Sequence, residues 1–120
     1  MAPGFADQFA REWMEAWNAH DLDRVLSHYE EDFELSSPIV RSLLGEPSGT
    51  LKGKPAVRAY WTRALELIPA LRFELVEVMA GVDSLVICYN GHRGPVAEVF
   101  HLSANGKVAR ASAHYAESDV

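Results

Sequence analysis

The 120-residue chain predicts an α+β domain, with helices gathered on one face of an antiparallel sheet. Three observations lead there. Apolar residues recur at helical intervals before residue 70, the runs after it alternate in the manner of strands, and turn-forming dipeptides separate those runs. No repeat, low-complexity stretch or linker divides the chain, so residues 1–120 read as one domain.

Phe5, Phe9, Trp13, Ala16 and Trp17 share one helical face, which predicts a helix over 5–17 that stops near Asn18. Asp21 is a natural N-cap for a short second helix whose Leu22, Val25, Leu26 and Tyr29 share a face. "DFELS", 32–36, alternates as a first strand. Pro55 suits the first turn of a third helix, in which Val57, Tyr60, Trp61, Ala64, Leu65 and Ile68 follow the i, i+3, i+4 pattern until Pro69. Four strands follow, at about 71–79, 84–90, 96–102 and 107–115. Their connections are "AGVD", "NGHRGP" and "SANGK". The order is helix, helix, strand, helix and four strands. Between them, 37–54 is too long for an ordinary connection and, with Ile39, Val40, Leu43 and Leu44, too apolar for a free loop. It reads either as a flap at the mouth of an enclosed space or as a short buried helix.

Composition narrows the function classes. The chain is 48% hydrophobic and 23% charged, as soluble domains are. A net charge of −6 without any basic cluster beyond Lys52 and Lys54 excludes a nucleic-acid partner. "GHRGP" and "LKGKPA" lack the context of a phosphate cradle. Cys88 is the one cysteine, which forbids an internal disulfide and fits a reducing, cytoplasmic setting. The N-terminus lacks a signal-peptide pattern and no apolar run is long enough for a membrane.

The last hairpin, "VAEVFHLSANGKVARASAHY" at 96–115, carries the chemistry. An even loop over Ser103–Gly106 puts Glu98, Phe100 and Leu102 on the same side as Ala109, Ala111, Ala113 and Tyr115. Val99, His101, Arg110, Ser112 and His114 then take the other face. Large residues opposite alanines leave volume above the sheet, which either a helix fills or a cavity keeps open. No His, Asp, Glu or Cys set has ligand spacing, so no metal site is expected.

Three stretches carry a resemblance: "WMEAWNAHDLDRVLSHYEEDFEL" at 13–35, "LKGKPAVRAYWTRAL" at 51–65, and the hairpin at 96–115. With the element order, they resemble the nuclear transport factor 2-like superfamily, specifically its SnoaL-like (polyketide cyclase-like) and ketosteroid isomerase-like members. The resemblance implies a cystatin-like cone, a curved antiparallel sheet wrapped on N-terminal helices, with an apolar pocket at one end for a small hydrophobic molecule. It also implies a homodimer through the outer face of Val99, His101, Arg110, Ser112 and His114. Glu98 matches the isomerases' oxyanion-stabilising acid, whereas Trp13 stands where they have a catalytic Tyr and Ser37 where they have an Asp base. Steroid isomerisation is therefore not implied.

Two readings of Glu98 remain open. In a closed apolar pocket its pKa would rise toward neutrality, as proton transfer at physiological pH requires. Tyr29, Tyr60 or Tyr115 would then supply a donor to a substrate carbonyl. Alternatively, Glu98 is an inert buried group held by one of those hydroxyls or by an indole N–H. The pocket wall is expected from Trp13, Trp17, Tyr60 and Trp61, with Tyr29, Ser37, Phe100, Ala111 and Tyr115. Cys88 reads as inert packing, His20 and His28 as solvated, and His92 as a candidate for the rim. The chain is thus a cofactor-independent isomerase, cyclase or lyase, or a non-catalytic ligand-binding module.

Overall fold

Helix α1 (Phe5–Asn18) buries Phe9, Trp13 and Trp17, the aromatic face its spacing predicts, in a computed structural model that describes residues 1–120. Its end is tied down by a side chain. Asn18 accepts from the Phe73 N–H at 2.7 Å and donates to the Phe73 carbonyl at 3.0 Å. His20 adds a 2.7 Å hydrogen bond to the Leu71 carbonyl, so it is a structural group rather than a solvated one. Asp21 caps α2 (Leu22–Leu26), its carboxylate accepting from the Arg24 N–H.

The short helix ends earlier than its apolar spacing suggests. Tyr29 belongs to β1 (Tyr29–Ser36), not to the face of α2. Segment 37–54 is neither a flap nor a helix alone. It forms α3 (Pro38–Leu44), capped by the Ser37 hydroxyl accepting from the Ile39 N–H at 3.1 Å, and β2 (Thr50–Lys52). Then come α4 (Lys54–Leu67), β3 (Glu74–Ala80), β4 (Ser84–Gly91), β5 (Gly94–Leu102) and β6 (Val108–Tyr115), with a terminal 3-10 turn over Glu117–Asp119. No helix is long and apolar enough to cross a membrane.

The six strands lie in the order β2-β1-β6-β5-β4-β3. The sheet is mixed rather than antiparallel, because β1 runs parallel to β6 while every other pair is antiparallel. Register shifts interrupt three ladders, between Tyr29 and Glu34, Leu75 and Glu77, and His101 and Leu102. Such irregularities bend a strand and increase its twist, which curves the sheet around the helices.

One of them corrects the hairpin. Glu98 faces Ala113 and Phe100 faces Ala111, as the even loop predicts, and Gly106 takes φ 73° in the turn. Beyond His101, however, Leu102 pairs with Val108. Ala109 is the residue displaced by the shift. It is exposed, and Val108 takes the inner position, fully buried.

The core centres on Trp13. Its ring meets Phe73 at 5.7 Å, Tyr89 at 5.3 Å and Phe100 at 5.5 Å, and its N–H donates to the Tyr29 hydroxyl at 2.9 Å. Phe9 covers the far side of Phe100 at 5.2 Å and stacks edge-on with His28 at the same distance. His28 is therefore half-buried, not solvated, and burial lowers its pKa. The helix thus fills the room above Ala111, while the room above Ala113 stays open.

The Asn18 tether gives a direct test. Asn18→Ala strands the Phe73 N–H and carbonyl and should cost about 1–3 kcal/mol in urea unfolding. Asn18→Asp keeps the acceptor and should lose less.

Candidate functional site

The opening above Ala113 is a cavity of about 130 Å³, and fourteen of the nineteen residues lining it are apolar. Each wall follows from an element already described. Helix α1 contributes Trp13 and Trp17; α4 contributes Tyr60, Trp61 and Ala64; the stretch after α4 adds Ile68, Leu71 and Phe73. Leu35 comes from the end of β1, Ser37 from the cap of α3 and Ile39 from its first turn. Val96, Glu98, Ala113 and Tyr115 line it from β5 and β6. The tip of the β4–β5 hairpin borders the outer end with Gly91, His92 and Arg93.

Of the residues expected in the wall, Trp13, Trp17, Ser37, Tyr60, Trp61 and Tyr115 line the cavity. Tyr29, Phe100 and Ala111 do not. All three are fully buried in the core beneath it, because α1 packs against that end of the sheet.

Glu98 is 5% exposed, on the inner face of β5 between Ile87 of β4 and Ala113 of β6. Its hydrogen-bond partner is Tyr89, whose hydroxyl donates to Oε1 at 2.9 Å. None of the three tyrosines expected to serve it fills that place. The signal for Tyr89 lies in the turn. With His92 and Arg93 at its tip, Tyr89 pairs with Val96 and Ile87 with Glu98, so Tyr89 falls on the face of Glu98, one diagonal step away.

Burial raises the Glu98 pKa to about 7, against a smaller downward pull from the Tyr89 hydroxyl. The phenols shift the same way. Burial foremost, with the Glu98 charge contributing, pushes Tyr29, Tyr60, Tyr89 and Tyr115 above the usual range. They are neutral donors at physiological pH. Ser37 lies close enough to Tyr60 and Tyr115 for its hydroxyl to offset part of their rise. Trp17 Nε1 is buried without an acceptor, its ring edge-on to Trp61 at 4.9 Å.

This arrangement joins an apolar chamber to one carboxyl that exchanges its proton near neutrality, with phenol donors around it. It can donate a proton to, or take one from, a molecule held in the chamber. No three His, Cys, Asp or Glu side chains gather as metal ligands.

A family model described as the SnoaL-like domain matches residues 10–111. A SnoaL-like protein of unknown function from Burkholderia thailandensis E264 is 53% identical, with 96% of this chain and 97% of that one covered and a TM-score of 0.93. A nuclear transport factor 2-like protein of unknown function from Burkholderia pseudomallei K96243 is 22% identical, at 99% and 95% coverage and TM-score 0.77. A protein with a ketosteroid isomerase-like fold from Catenulispora acidiphila DSM 44928, in complex with trimethylamine, is 15% identical, at 100% and 91% coverage and TM-score 0.72. The two distant likenesses speak for the fold alone. No curated protein matches the sequence.

The buried acid makes stability depend on pH. Folded Glu98 keeps a proton that the unfolded chain has released between pH 4.5 and about 7, so stability falls as pH rises through that window. Glu98→Gln removes this dependence. In urea melts it should match the parent at about pH 4 and exceed it by about 3 kcal/mol at about pH 8.

Proposed function

The chain belongs to the SnoaL-like family, and we propose that it binds a small cyclic hydrophobic molecule and moves a proton on it through Glu98. The observation that carries this reading is a carboxyl titrating at about 7 in the wall of an apolar cavity. Apolar cavities of about 150 Å³ hold a benzene-sized ring. At about 130 Å³, this one suits a single ring, with substituents reaching out through the mouth. The reaction class is proton abstraction or return beside a carbonyl, as in an isomerase, cyclase or lyase. Ionised Glu98 takes the proton, Tyr89 steadies the carboxylate through its hydrogen bond, and neutral phenols at Tyr60 or Tyr115 donate to the oxygen that gains charge. Water is kept from the acid by Trp13, Trp17 and Trp61.

A second reading, retention of the same molecule without chemistry, is favoured by one observation: no second carboxylate lines the chamber to relay the proton onward. Cyclohexanone separates the two. Exchange of its α-protons with deuterium oxide, followed by NMR, should be accelerated by the parent, with a rate that rises through about pH 7 and then levels. Glu98→Gln should bind cyclohexanone within about threefold of the parent yet lose exchange by about a hundredfold or more. Binding without exchange in the parent selects the second reading.

Assembly belongs to the proposal. The outer face of the sheet, opposite the helices, carries the row Met79, Val86, Val99 and Ser112 across four strands, flanked by His101, Arg110 and His114. A second copy covering this face would make a homodimer and remove a half-apolar surface from water. Sedimentation at high micromolar concentration should give twice the 13.3 kDa chain mass. Val99→Glu should shift the equilibrium to monomer.

A further inference from the structure

Arg93 is a charged wall residue that the proton-transfer reading leaves unused. It lies at the tip of the β4–β5 hairpin, exposed to solvent on one side and lining the cavity on the other. The C-terminal turn holds it in place. Nη1 donates to the Asp119 carbonyl at 3.1 Å, and a Cβ on neighbouring Gly94 would come within 2.9 Å of Asp119 Oδ2, so the tip and the tail are closely packed. Yet the guanidinium has no carboxylate partner. The five ion pairs of the protein use Arg24 twice, Lys52, Lys54 and Arg58.

Its charge is felt inside. It draws down the pKa of both Tyr60 and Tyr115 against the larger upward effect of burial. The cavity is therefore polarised, with a buried acid at its floor and a permanent, unpaired cation at its mouth, beside two phenols. In a chain of net charge −6, the long-range field offers an anion nothing, so recognition of one needs a cation at the site itself.

We propose that Arg93 selects small rings bearing a carboxylate, the ring seated against Trp17, Trp61 and Phe73 and the carboxylate paired with the guanidinium at the mouth. A guanidinium presents parallel donors that match the two oxygens of a carboxylate. The neutral Tyr60 and Tyr115 hydroxyls supply further donors to the same group. The anion stays at the mouth because Arg93 is the one Lys or Arg side chain in the wall. The assignment deepens the ring-binding function proposed above and rests on it.

The test uses benzoate and benzyl alcohol, rings of similar size that differ in charge, at about pH 6, where Glu98 is mostly neutral. All three tryptophans of the chain line the cavity, so indole fluorescence reports occupancy. The parent should bind benzoate about tenfold more tightly than benzyl alcohol, the size of one charge-assisted contact. Arg93→Gln should bring benzoate down to the level of benzyl alcohol while holding benzyl alcohol within about twofold. Arg93→Lys, with charge but no fork, should fall between. If the parent binds benzyl alcohol without preferring benzoate, or the preference survives Arg93→Gln, the selector is not Arg93 and the ring cavity still stands. If Arg93→Gln weakens both ligands equally, the residue merely anchors the hairpin tip and the proposal is overturned. If the parent binds neither ring, the ring cavity itself fails and Arg93 selection with it.

Discussion

Burying an indole costs the fold a stranded donor unless its N–H finds an acceptor; Trp17 carries that cost, whereas Trp13 meets the condition across the molecule. Its acceptor is the Tyr29 hydroxyl at the start of β1. Its ring stacks on the approach to β3 through Phe73 and meets β4 and β5 in T-shaped contacts with Tyr89 and Phe100. One side chain of α1 thereby fixes how closely the helix approaches the sheet. It packs the end above Ala111 tightly and stops short of Ala113, so the cavity is the part of the interior that the helix does not reach.

The same residue shapes the chemistry of the site. The isomerase resemblance would have a phenol at position 13, and an indole there cannot ionise or pass a proton on. The phenol that reaches Glu98 comes instead from β4, through Tyr89. Glu98 is the one carboxylate in the wall, and its burial holds its pKa at about 7. Low dielectric around that group strengthens its hydrogen bonds and penalises its charge together. Its raised pKa and its cost to the fold have one origin.

The sequence revealed most where one period ran undisturbed. Phe9, Trp13 and Trp17 on α1, and Val57, Tyr60 and Trp61 on α4, keep helical spacing throughout, and both faces are buried as their spacing implies. Glu98 opposite Ala113 followed from alternation and a glycine turn. Legibility ended where the period broke or the partner was remote. Tyr29 extends the spacing of α2 by one more step but begins a strand, since β pairing with Val108 outweighs the local preference of so short a helix. Ala109 was misplaced because a register shift has no mark in a run of alternating residues. Tyr89 was missed because its face depends on which residues of "NGHRGP" form the tip. The parallel pairing of β1 with β6 joins segments that no local pattern relates.

That parallel pairing bears on the order in which the molecule can be assembled. The ladder that seats β1 needs Val108, Arg110, Ala111 and Ser112, which leave the ribosome long after Tyr29 and Phe33. Until they arrive, β1 can pair only with β2, leaving the edge beside Tyr29 and Phe33 open, and closing so long a loop precedes any reward from the contacts it brings. Nascent chains should thus pass through a sticky interval near the end of synthesis, when the first strand is complete but the last one, which covers its open edge, is still being made.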